Sequence, residues 1–87
     1  MHAVVVKVTI NEQDAADTAL REQVVPGVSQ APGFVAGYWT RKDDTGLSMI
    51  VFESEQAASG MSERITSMVP DTVTLDSVEV REVVANA

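Results

Sequence analysis

The chain has no cysteine, which excludes a disulfide framework, a thiolate metal site and a cysteine nucleophile. It has one histidine, His2, which at the terminus reads as a solvated end residue; that is too few for a typical zinc or iron site and leaves no histidine for a Ser-His-Asp triad. Glycine-rich phosphate loops and a G-x-S-x-G elbow are also missing. Positive charge is scarce: six Lys and Arg stand against thirteen Asp and Glu, a net charge of −7. Such a balance repels polyanions and supplies few phosphate contacts, so no nucleic-acid partner is expected. Long apolar runs are lacking too. Lys7 interrupts Val4-Val5-Val6, so the start resembles neither a signal peptide nor a membrane span, and the expectation is a cytoplasmic protein with no membrane partner.

What is present is a small apolar domain. Hydrophobic residues make up 45% of the 87 positions, and charged residues 22%, which is too apolar for disorder. With aromatics at 5%, the core must be packed from Val, Ala, Ile, Leu and Met. A chain of this length forms one domain, residues 1–87, and its core is limited by its surface-to-volume ratio.

The aromatics converge on one stretch. Phe34 to Lys42 and Leu47 to Phe52 are strand-like and flank Asp43, Asp44, Thr45 and Gly46, a turn-forming cluster whose glycine can take φ > 0. A loop centred between Asp44 and Thr45 pairs Trp39 with Ile50, Tyr38 with Val51 and Gly37 with Phe52. One face then carries Phe34, Ala36, Tyr38, Met49 and Val51; the other carries Val35, Gly37, Trp39, Arg41, Ile50 and Phe52.

The flanking segments complete the pattern. Val4, Val6, Val8 and Ile10 alternate along a first strand. Asn11 reads as the cap of a first helix, with Glu12, Asp14 and Asp17 complementing its dipole. Ala16, Ala19, Leu20, Val24 and Val28 recur at helical steps, and Pro26 must kink or end that helix near Val25 before Pro32-Gly33 stops it. Ser54 caps a second helix carrying Ala57, Ala58, Met61, Ile65 and Met68; Gly60 within it predicts a close backbone approach. Val73 to Val84 is a last strand, with Val78, Val80 and Val84 on one side and Val73, Leu75 and Val83 on the other.

The order is βαββαβ. Right-handed crossovers turn it into an α+β, ferredoxin-like domain, a four-stranded antiparallel sheet with two helices on one face. The other face is left open, and a second copy would cover it in a C2 homodimer.

Pro32-Gly33-Phe34, the hairpin, Phe52-Glu53-Ser54-Glu55 and the ending Ser77-Val-Glu-Val-Arg-Glu-Val83 resemble the dimeric α+β barrel superfamily, in its antibiotic-biosynthesis-monooxygenase-like branch. The resemblance implies a dimeric α+β barrel. It also implies chemistry drawn from cofactor-independent oxygenation of polycyclic phenols, haem degradation or related reactions, beside members with no reaction. Haem degradation there resembles an Asn on strand one with a Trp and a His near helix two. Here strand one has Lys7 but no Asn, and helix two has neither Trp nor His.

Cofactor-independent oxygenation needs a dry pocket that holds an electron-rich phenol and stabilises charge on oxygen. Trp39 and Tyr38 offer stacking and a hydroxyl, Arg41 a positive charge, and Asn11 a hydrogen bond. Adjacent strand residues point to opposite faces, so Trp39 with Arg41 is the better pair than Trp39 with Tyr38. Equally, Trp and Tyr in a small barrel serve as core or interface anchors. Asp43 and Asp44 are explained by the turn, Glu63 and Arg64 by a solvated helix face, and Met61 and Met68 by core filling. Two readings follow: a monooxygenase-like enzyme acting on an aromatic or phenolic small molecule without cofactor or metal, and a non-catalytic ligand-binding or interaction module of the same fold.

Overall fold

A computed structural model describes residues Met1–Ala87. The chain runs β1 (His2–Ile10), α1 (Gln13–Ala19), a π-helical turn (Leu20–Val24), α2 (Val25–Ser29), β2 (Phe34–Lys42), β3 (Thr45–Phe52), α3 (Glu55–Met68) and β4 (Val73–Glu82). The four strands form one sheet in the order β2-β3-β1-β4, every pair antiparallel. The α1–α2 segment and α3 cover one face, which gives the α+β, ferredoxin-like arrangement. No helix is long and apolar enough to cross a membrane.

Alternation along the strands decides which face is covered. Val4 and Val6 of β1 and Ile50 and Phe52 of β3 turn inward against Val28, Ala58, Met61 and Ile65. Phe52, Ile50, Val4 and Val28 are the largest side chains that are fully buried, each contributing about 1.5–3 kcal/mol. Phe34 meets Phe52 edge-on, with ring centroids 6.1 Å apart. Ser54 caps α3 as expected, its Oγ accepting from the Ala57 N–H at 3.1 Å.

Several local features differ from the sequence reading. Asn11 does not cap α1; Glu12 occupies that position with no side-chain cap bond, and Asn11 Nδ2 instead donates to Thr74 Oγ1 at 3.1 Å. Its backbone N–H is already held by Thr72 O at 2.8 Å, so the segment is tied to β4 before the helix begins.

Pro26 does not end the first helical segment near Val25: α-helix gives way to the π-helical turn over Leu20–Val24 and resumes from Val25 to Ser29. The Val25 N–H reaches back five residues to Leu20 O. This wider turn delivers the chain to Pro26, which has no N–H to place on Glu22. The hairpin turns at Asp43-Asp44, two residues before Gly46, so Trp39 faces Ser48, Tyr38 faces Met49 and Gly37 faces Ile50. Asp43 takes the positive φ, 56°, in the left-handed region that Asp tolerates better than most residues. Gly46 lies within β3, where an added Cβ would come 2.8 Å from Val8 Cγ2. Because the shift is by two residues, the division into faces survives.

Two bulges change it locally. One between Phe34 and Ala36 brings Phe34 to the covered face opposite Phe52 and leaves Val35 exposed. The other inserts Asp76 into β4, so that Leu75 pairs with Val8 and joins Val78 and Val80 on the core side. Thr9 Oγ1 donates to Asp76 Oδ2 at 2.8 Å and holds the extra residue outward. Gly60 is exposed, and a Cβ there would meet nothing within 4 Å; no close approach explains it.

Candidate functional site

The space between sheet and helices is filled at one end and open at the other. On the covered face of β3 the side chains shrink toward the hairpin in the order Phe52, Ile50, Ser48, Gly46. Phe52 and Ile50 belong to the core, whereas Ser48 and Gly46 border a cavity of about 500 Å³. Val6, Val8 and Ile10 of β1 form its floor beside them, and Ala16, Leu20, Val24 and Val28 of the first helical segment stand opposite. Ile65, Met68, Val69 and Pro70 close it from the α3 side. The lining is mostly apolar, as small-molecule sites are, with a few polar groups at its edge.

Trp39 supplies the cavity's one aromatic surface. Its ring lies back along β2 over Gly37. A Cβ on Gly37 would fall 2.8 Å from Trp39 Cη2 and 2.9 Å from Cζ3. Only a residue without a side chain lets the indole take this position. Trp39 makes no side-chain hydrogen bond within the chain, so its indole N–H is available to a bound molecule.

Three charged residues line the cavity: Asp17, Arg21 and Arg41. Arg41 Nη1 donates to Asp17 Oδ1 at 2.5 Å, joining β2 to α1 across the cavity's edge. The two side chains are 38% and 34% exposed, so water screens the pair and it contributes at most about 1 kcal/mol. Its effect is to orient the guanidinium. No three His, Asp or Glu side chains converge anywhere in the fold. His2 lies outside this cavity's lining, its Nε2 3.4 Å from Glu55 Oε2.

Of the four residues singled out in the sequence, the structure brings Trp39 and Arg41 together on the cavity. Tyr38 points to the opposite side of the sheet, 69% exposed, as the alternation of a strand requires. Asn11 is outside the lining, engaged with Thr74. Asp17, Arg21 and Ser48 were not anticipated. Asp17 and Arg21 border the apolar stripe of Leu20 and Val24, at steps of three and four, and charge beside an apolar helical face was the available signal. For Ser48 the signal was the taper along β3.

The opposite sheet face has another character. Tyr38, Leu47 and Met49 stand out from it, the last two each 49% exposed, beside the partly covered Ala36, Val51 and Val5. This is an apolar surface on a protein rich in acidic residues.

By sequence, the chain matches no family model and no curated protein. Its fold matches a solved structure, that of a monooxygenase from the gene ActVA-Orf6 of Streptomyces coelicolor in complex with the ligand nanaomycin D. The match has a TM-score of 0.55 and 15% identity, and covers 99% of this chain and 92% of that one. The chain therefore shares the fold of that monooxygenase over nearly its whole length, a likeness of fold that the motifs around Pro32-Gly33 and Ser54 implied.

Proposed function

We infer that the cavity between sheet and helices binds a planar aromatic molecule, and that the protein acts on a phenolic compound of this kind as a monooxygenase-like enzyme without a cofactor. The observation that carries the reading is the cavity itself: about 500 Å³, apolar along its length, with Trp39 as a wall and two guanidiniums among its lining residues. An aromatic ring seated there stacks on the indole and displaces water from the apolar walls, which strengthens any interaction with charge developing on a phenol oxygen. Arg41, held by Asp17, is the group that would stabilise a phenolate. The fold shared with a monooxygenase supports the reaction class.

The reaction balances without an added reductant. In an anthrone, the ring methylene becomes a carbonyl with one oxygen atom of O₂, and the other leaves as water. All four electrons come from the substrate.

The non-catalytic reading has its own support. Asp17 is the cavity's one carboxylate and it is already paired with Arg41, so no free base borders the cavity. Oxygen uptake with a panel of hydroquinones and anthrones separates the two. Turnover above buffer that is lost in Trp39→Phe supports the enzyme. Tryptophan quenching by the same compounds with no oxygen uptake leaves a binding protein.

The same reading includes a homodimer. Exposed apolar area around Tyr38, Leu47 and Met49 suits a second copy of the sheet laid face to face, with Tyr38 as an interface anchor. Sedimentation measures this directly, and a folded monomer at micromolar concentration would remove the dimer.

A further inference from the structure

The charge of the cavity opposes the charge of the molecule. The chain has a net charge of −7, yet the charged residues lining the cavity are one carboxylate and two guanidiniums. Asp17 and Arg41 satisfy one another. Arg21 takes part in none of the chain's ion pairs, although Asp17 stands one helical turn before it. One positive charge is therefore left over at an apolar cavity of an acidic protein. Glu22, next in the chain, is exposed and outside the lining, and acidic residues farther off are screened beyond about 8 Å at physiological salt, so the lining guanidinium favours an anionic ligand.

Arg21 is exposed, yet it borders the apolar cavity. It follows Leu20 in sequence and belongs to the π-helical turn, a widened helical turn of the kind found often at functional sites. Its planar fork of donors matches the two oxygens of a carboxylate, which a neutral ligand would leave unused.

We propose that the molecule taken by this cavity is an aromatic carboxylate, its ring system against Trp39 and its acid group on Arg21. The proposal rests on the reading of the cavity as a binding site and narrows it to a class. The acid group holds the ring in one orientation, with the far end of the ring system inward toward Ile50 and Val28.

The test is a titration with anthraquinone-2-carboxylate and with its neutral amide, anthraquinone-2-carboxamide. Binding is followed by emission of Trp39, the chain's one tryptophan, and by calorimetry. The carboxylate is expected to bind about tenfold or more tightly than the amide, the factor that a charge-assisted hydrogen bond supplies. Arg21→Gln should abolish that preference while leaving the amide within about twofold of wild type, and Arg21→Lys should keep part of it. Added salt should weaken the carboxylate alone. Equal affinities in the wild-type protein, or an equal loss of both ligands in Arg21→Gln, would overturn the assignment and leave the cavity as a binding site for neutral aromatics. If neither compound binds, the binding site itself is wrong and the proposal goes with it. Arg21 is exposed on a helix, so far-UV circular dichroism of both variants should match wild type.

Discussion

Gly37→Ala tests whether the indole of Trp39 is held where the structure places it. A new Cβ would lie 2.8 and 2.9 Å from two carbons of the six-membered ring. Carbon atoms rest at about 3.5–4.0 Å, so the ring must retreat by about 0.7 Å or turn off its rotamer. Overpacking of this kind costs about 1–3 kcal/mol. Replacing glycine within a strand returns about 0.5–1 kcal/mol through the unfolded chain. The net expectation is a loss of about 1–2 kcal/mol, each kcal/mol lowering Tm by about 4–8 °C in a domain of this size.

Trp39→Phe removes the two crowded atoms. Gly37→Ala in that background should therefore show only the gain of about 0.5–1 kcal/mol, and the double-mutant cycle should return a coupling of about 1.5–3 kcal/mol. Urea unfolding followed by circular dichroism measures all four proteins without relying on the tryptophan signal. The single variant should also shift Trp39 emission, because the ring is displaced toward the cavity. An equal cost of Gly37→Ala with Trp or Phe at position 39 would refute the reasoning, since the contact with the indole would not be the cause.

Ser48→Leu fills the open end of the taper along β3; it should abolish quenching by aromatic ligands while unfolding stays within about 1 kcal/mol of wild type, because the new side chain enters empty apolar space. Gly60→Ala should stabilise the protein by about 0.5–1 kcal/mol in a urea titration, since a Cβ there meets nothing within 4 Å and the helix gains propensity. Met49→Lys places a charge on the sheet face through which the proposed homodimer would form, and sedimentation should then show a monomer while circular dichroism is retained. Retention of the dimer would move the interface elsewhere.

The sequence by itself determined the order of elements, because each is written in local chemistry: period-two alternation in β1, three- and four-residue steps in α3, Ser54 at a helix start, Pro32-Gly33 at a helix end. It also determined that Trp39 and Arg41 share a face and that Tyr38 does not, which follows from strand geometry in any register shifted by an even number. The tertiary structure decided the rest. Bulges at Val35 and Asp76 each add one residue and carry Phe34 and Leu75 across the sheet, a change that no repeating pattern can announce. The turn moved to Asp43-Asp44 because Gly46 was needed inside β3 beneath Val8. Asn11 turned from a helix cap to Thr74 because β4, more than sixty residues later in the chain, offered a partner. The cavity came from the same kind of cause: it lies where the short side chains of β3 face the helical stripe bordered by Asp17 and Arg21, and residues so distant in sequence meet only once the sheet and helices have packed.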